Sequence, residues 1–240
     1  MKLSFTGKSD PGLVRSVNQD SYYIDDPEGR FFIVADGMGG HAGGQEASTI
    51  AIETIHTYLE EHWDSSISTD TLLTEAIDAA NQSILQDQSK HPERGDMGTT
   101  LVLIVFRGDQ TWVAHIGDSR LYRLRASSLE QLTEDHTWVA KAIKAGDLTK
   151  EEAKTHPWRH VLSQCLGRRD ICQIDIEPLE VQIGDRFLIC SDGLTEEVPD
   201  ELIGKLLTQS LPEAAEMLVH EAKKAGGSDN ITIVLVEAGD

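Results

Sequence analysis

At 240 residues the chain is long enough to bury a sizeable core, as one large domain or two small ones. Its 41 acidic against 21 basic side chains leave a formal charge of −20, which opposes non-specific attraction to nucleic acid or to an anionic membrane and leaves a protein or a small molecule as the expected partner. No stretch approaches the run of about eighteen apolar residues that spans a membrane, and the start Met1-Lys2-Leu3-Ser4-Phe5-Thr6 lacks the apolar core of a signal peptide, so a cytoplasmic protein is expected.

In chain order, the apolar run Phe31-Phe32-Ile33-Val34-Ala35 reads as a buried strand that ends at Asp36 and a glycine-rich loop, 37–44. Helical periodicity follows over 46–62, where Ile50, Ile52, Ile55 and Leu59 share a face, and over 71–88 with Leu72, Leu73, Ile77 and Ile84. From 99 to 125 the runs 101–106, 112–116 and 121–124, with Gly108-Asp109 between the first two, predict a meander of antiparallel strands. The pattern weakens over 137–164 into short helical pieces around Thr155-His156-Pro157-Trp158-Arg159-His160. An exposed aromatic among basic residues there favours a flap that meets substrate over a plain surface excursion. Strands return at 174–179, 186–190 and 231–236, with a helix at 212–224. No linker divides the chain, so one domain over 1–240 is expected, of α+β class with antiparallel sheets and segregated helices.

Cys165, Cys172 and Cys190 are odd in number and lack a paired metal spacing, so they read as structural thiols. A cysteine-phosphatase mechanism needs an arginine six residues after the nucleophile. The residues there are Ile171, Pro178 and Glu196, which excludes it. The glycine-rich loop could be a dinucleotide-binding turn, but Asp36 would set a carboxylate beside the pyrophosphate and a second helix follows where a parallel strand is required. A Walker loop is absent.

Asp36, Asp118, Asp192 and Asp229 each lie beside a polar or glycine-containing turn at the border of an apolar run. One such aspartate reads equally well as a turn former, Asp-Gly being a common hairpin signal. Four of them, if the strand ends converge, would repel one another unless divalent cations neutralise them, which suggests Mg²⁺ or Mn²⁺.

The ordered set Arg15-Ser16-Val17-Asn18-Gln19-Asp20, Val34-Ala35-Asp36-Gly37-Met38-Gly39-Gly40-His41, Met97-Gly98-Thr99-Thr100, Ile116-Gly117-Asp118-Ser119-Arg120, Ser191-Asp192-Gly193-Leu194 and Ser228-Asp229-Asn230 resembles the metal-dependent serine/threonine protein phosphatases of the PPM (type 2C) family, bacterial type. The segment 156–167 resembles the cyanobacterial members that act on the nitrogen-signalling protein PII.

That resemblance implies a PPM-type sandwich of two antiparallel β-sheets flanked by helices, with the flap, about 137–164, near the metal site. It implies that Asp36 bridges two divalent ions, that Asp192 and Asp229 hold the first and Asp20 with the Gly37 carbonyl the second, and that Asp118 joins Asp192 at a third, weaker ion. Two cations about 3.5–4 Å apart would offset the charge of a phosphate monoester and activate a bridging water for in-line attack. Arg15 would grip the phosphoryl oxygens through its donor fork, the alternative being a surface arginine. His41 is the candidate general acid for the leaving alkoxide, the alternative being a residue that orients metal-bound water. Thr99, Thr100, Ser119 and Asn230 are expected to support loops. The implied partner is a phosphorylated protein, PII by the 156–167 likeness, with a monomer as the default state. Two other functions compete: a catalytically silent phosphopeptide-binding sensor, which retention of every expected ligand opposes, and a two-metal nuclease, which would need a basic track where only scattered Arg159, Arg168 and Arg169 are found.

Overall fold

The computed structural model describes residues 1–40, 43–171 and 174–239. Strand β1 (Lys2–Asp10) precedes the hairpin of β2 (Asp20–Ile24) and β3 (Phe31–Met38), which feeds helices α1 (Gly43–His62) and α2 (Thr69–Lys90). Next come β4 (Gly98–Thr99), β5 (Leu101–Arg107), β6 (Gln110–Ile116), β7 (Arg120–Arg125) and β8 (Ser128–Gln131), then the short helices α3 (Trp138–Ala145) and α4 (Lys150–Lys154). The chain closes with β9 (Asp175–Leu179), β10 (Arg186–Cys190), α5 (Asp192–Thr195), α6 (Asp200–Leu206), α7 (Leu211–Ala225) and β11 (Ile231–Gly239).

The side chains of β3 explain the layering. Phe31, Ile33 and Ala35 pack with the apolar faces of α1 and α2, while the alternate residues Phe32 and Val34 pack against Phe187, Ile189, Val234 and Val236 of a second sheet. A strand buried on both faces is an unbroken apolar run, which is how β3, β5 and β10 stand out in the sequence. The outer face of the second sheet, with Leu188, Cys190, Ile233 and Leu235, is covered by Leu218, Val219 and neighbours from α6 and α7. The layers are therefore helix, sheet, sheet, helix, in agreement with the α+β sandwich expected.

One sheet has the order β1-β11-β10-β7-β8 and the other β2-β3-β5-β6-β9, with β4 on β3; every pairing is antiparallel. This corrects the predicted meander over 99–125. β5 and β6 form the hairpin read from Gly108-Asp109, but β7 pairs with β10 and β8 and not with β6. The turn Gly117-Asp118-Ser119 carries the chain from one sheet to the other, with Gly117 at φ 110, a value that side-chain-bearing residues rarely adopt.

The flap segment 137–164 holds α3 and α4. Thr137 caps α3 by accepting from the Ala140 N–H, and Thr149 with Glu152 forms a capping box on α4. Between them and β9, Trp158 is 54% exposed and stands edge-on to Trp138, on which His156 stacks. Cys165 and Cys190 are free and buried, and burial pushes the Cys190 thiol up to about 12, so both behave as structural thiols; Cys172 lies outside the described residues. Among the described residues no helix is long and apolar enough to cross a membrane.

Candidate metal centre

Six strand ends meet at one end of the sandwich. Asp36 lies near the end of β3 and pairs in register with Asp20 at the start of β2, so the two side chains share a face of that hairpin. Asp192 follows β10, Asp229 precedes β11 and Asp118 sits at the crossover between β6 and β7. Asp36, Gly37, Asp118, Asp192 and Asp229 line one cavity of about 230 Å³, together with Arg15 and His160.

Main-chain and hydroxyl bonds hold these groups in place. The Asp36 N–H donates to Thr100 Oγ1 at 2.9 Å, and its carbonyl accepts from the Thr100 N–H and from Thr99 Oγ1, both at 2.9 Å. Thr100 Oγ1 in turn lies 2.7 Å from Ser119 Oγ, beside Asp118. Asn230 accepts from the Gln19 N–H at 2.7 Å and donates to the carbonyls of Pro11 and Val17 at 3.0 Å, pinning the loop that carries Arg15. These bonds agree with the supporting part expected of Thr99, Thr100, Ser119 and Asn230. Gly37 is required by close approach and not by a hairpin: a Cβ there would stand 2.0 Å from the Gly44 carbonyl oxygen.

The electrostatics are those of an uncompensated acidic cluster. Desolvation, followed by the charges of Asp20, Asp192, Asp118 and Asp229, raises the Asp36 carboxyl well above its usual range. Asp118 is raised the same way by desolvation and Asp192. Asp192 is pushed to about 6 by desolvation and by Glu196 and Asp229. Asp20 is pushed to about 7, chiefly by desolvation and against the Ser191 hydroxyl, which donates to its Oδ2 at 2.7 Å; its buried Oδ1 has no hydrogen-bond partner among the described residues. Carboxylates crowded at this cost, one with an orphaned oxygen, are an all-oxygen donor set that fits hard divalent ions.

Arg15 is half exposed, and its Nη2 donates to Asp229 Oδ2 at 2.6 Å, so the arginine read from the sequence does reach the cavity and there meets a carboxylate. His41 lies outside the described residues. Two further residues at this centre were not among the expected site residues. His160 lines the cavity and its Nδ1 lies 2.5 Å from Glu196 Oε1, with a ligand atom of each within 4.8 Å of the Asp192 carboxylate. Glu196 stands four residues after Asp192 on the turn of α5, a spacing that puts the two side chains on one face, whereas His160 has no such mark and reaches them only because the flap folds back. Beside the cavity lies a groove of about 1040 Å³, lined by Asp118, Arg120, Asp192 and Glu196 and by Thr137 and Arg159 of the flap.

The family model for protein phosphatase 2C matches residues 14–231. The chain belongs to that family. It is 38% identical over 244 residues to the serine/threonine protein phosphatase PstP of Mycobacterium tuberculosis, an alignment that covers 99% of this chain but only 45% of that protein, so the chain spans about half the length of this relative. It is also 38% identical over 241 residues to the protein phosphatase PhpP of Streptococcus pneumoniae, covering 97% of this chain and 96% of the relative. The crystal structure of the catalytic domain of PstP in complex with two manganese ions superimposes with a TM-score of 0.87 at 36% identity, covering 99% of both chains. Family membership bears out the resemblance drawn from the six motifs and the bacterial type.

Proposed function

We propose that the chain, as one catalytic unit over 1–240, is a divalent-metal-dependent protein phosphatase acting on phosphoserine and phosphothreonine. The observation that carries this reading is the convergence of Asp36, Asp118, Asp192 and Asp229 on one cavity that Arg15 also lines. The naming of PstP and PhpP as protein phosphatases, and the two manganese ions in the PstP catalytic domain, support it.

Asp36, Asp192, Asp229, Asp20 and the Gly37 carbonyl would hold two Mn²⁺ or Mg²⁺ ions, and Asp118 with Asp192 a third, weaker one. When bound, such ions neutralise phosphoryl charge and lower the pKa of water enough to supply a nucleophile at neutral pH. The chain's own groups do the rest. Arg15 exchanges its Asp229 partner for the phosphoryl oxygens, to which its planar fork can donate twice. The Thr99 and Thr100 bonds fix the backbone of Asp36, so its carboxylate needs no reorganisation. The peptide lies in the groove under the flap, and His41 Nε2 or Nδ1 protonates the departing serine or threonine oxygen. The substrate we propose, on the likeness of 156–167 to PII-directed members, is phosphorylated PII, met by a monomer in the cytoplasm.

Phosphate release from a phosphothreonine peptide, with Mn²⁺, with Mg²⁺ and with excess chelator, tests the reading. Release that requires metal and survives vanadate and thiol alkylation is expected, since Cys165 and Cys190 are buried. Peptide binding without release would make the site a recognition module. Phospho-PII, compared with unrelated phosphoproteins under the same conditions, tests the substrate.

A further inference from the structure

His136 reaches three separate segments. Its main-chain N–H donates to the Gly117 carbonyl at 2.7 Å, and its ring Nδ1 accepts from the Gly117 N–H at 3.2 Å. Its carbonyl accepts from the Ser163 N–H at 2.8 Å, where the flap returns, and its Nε2 lies 3.1 Å from Asp175 Oδ2 on β9. The ring is 5% exposed, with the His115 ring packed beside it at 4.7 Å between centroids.

An imidazole nitrogen that accepts from an amide carries no proton, so the neutral ring is protonated on Nε2 and donates to Asp175. Burial and the neighbouring His115 hold the His136 pKa below its ordinary value, which favours the neutral form. His115, His136 and Asp175 also place one ligand atom each within 4.8 Å of one another, a spacing that a transition metal could bridge, and both ring nitrogens of His115 are buried without a hydrogen-bond partner among the described residues. The Gly117 amide argues against that use. A neutral ring coordinated through Nε2 would carry its proton on Nδ1, pointing at the amide proton.

The consequence lies at the next residue. Gly117 makes the crossover between the two sheets, has no side chain to anchor it, and is followed by Asp118. His136 holds both its N–H and its C=O while bonding the flap root through Ser163. We propose that His136 is a positioning residue that fixes the Gly117-Asp118 turn, and with it the Asp118 carboxylate, to the root of the flap, and that Asp175 keeps the imidazole in the tautomer this requires. The inference rests on the assignment of Asp118 to a third, weaker ion.

Calorimetric titration of the full chain with Mn²⁺ tests it, comparing wild type, His136→Phe, His136→Asn, Asp118→Asn and the His136→Phe/Asp118→Asn double variant. His136→Phe is expected to weaken the weaker binding event at least about tenfold, or 1.4 kcal/mol, and to leave the tighter events unchanged. His136→Asn, whose Oδ1 can accept from Gly117 in place of Nδ1, is expected to keep it, and it carries the test if His136→Phe fails to fold. In the Asp118→Asn background His136→Phe should change Mn²⁺ binding no further. Wild-type affinity in His136→Phe, equal weakening of all events, loss in His136→Asn, full additivity with Asp118→Asn, or no weaker event in wild type would each overturn the proposal. Nitrogen-15 NMR of the ring supplies a readout independent of ions: an Nε2-protonated His136 is expected, and an Nδ1-protonated one refutes it. Phosphate release is scored apart, so an inactive wild type with the expected Mn²⁺ pattern would sink the phosphatase reading and leave this one standing.

Discussion

Asp192 closes a buried strand and opens a helix, and its carboxyl is raised by desolvation and by Glu196 and Asp229. A group held at such cost is expected to act with its neighbours as a unit. Asp192→Ala or Asp36→Ala should lower phosphate release at saturating Mn²⁺ at least about a thousandfold, equal to about 4 kcal/mol of transition-state stabilisation. Arg15→Ala should instead raise KM about tenfold to a hundredfold with kcat little changed, the worth of charge-assisted hydrogen bonds of about 1.5–3 kcal/mol. Steady-state kinetics on a phosphothreonine peptide separates the two patterns, and full activity in Asp192→Ala would defeat the assignment. Gly37→Ala puts a methyl 2.0 Å from the Gly44 carbonyl oxygen, so main chain must shift. Thermal unfolding should report a loss of about 1–3 kcal/mol, the usual cost of overpacking.

At the scale of elements, the β2–β3 hairpin that sets Asp20 opposite Asp36 is closed by Asp25 and Arg30. The Asp25 carboxylate accepts from the Arg30 N–H at 2.8 Å and from its guanidinium at 2.7 and 2.8 Å. Burial alone would raise the Asp25 pKa; the Arg30 bonds outweigh it and hold the carboxyl below its ordinary value. A depressed carboxyl contributes stability that is present above the unfolded value of about 3.9 and lost as pH falls through the lower folded one. Urea unfolding should therefore show Asp25→Asn destabilised by about 3 kcal/mol at pH 7, with less further loss than wild type on acidification below about pH 4. Equal acid slopes in the two proteins would refute this part for Asp25. The strands β1 and β2 themselves escaped the sequence reading. Each lies at a sheet edge and mixes polar with apolar residues, so neither makes the unbroken run that marks β3, β5 and β10. The helices α1, α2 and α7 were legible because each buries a single stripe against a sheet, and they extend only one to three residues beyond the periodic segments.

Over the whole molecule, a formal charge of −20 and a cavity ringed by aspartates act together against the folded state. Ions that bind only the folded chain should reverse part of this. At about 100 times its Kd, Mn²⁺ should add about 2.7 kcal/mol per site, seen as a rise in Tm that chelator abolishes and Asp36→Asn diminishes. A Tm indifferent to Mn²⁺ would count against a metal centre.

Family, α+β class and the aspartates that converge on the cavity are legible along the chain, because each motif is a local pattern: an apolar run, a turn and a carboxylate in fixed order. Which groups face them depends on how the segments pack. That β7 leaves the sheet of β6 at Gly117, that Arg15 meets Asp229, that His160 folds onto Asp192 and Glu196, and that His136 grips the Asp118 turn are contacts between separate segments of the chain. Strand register and the return of the flap set those distances, and neither is written in the spacing of residues along the chain.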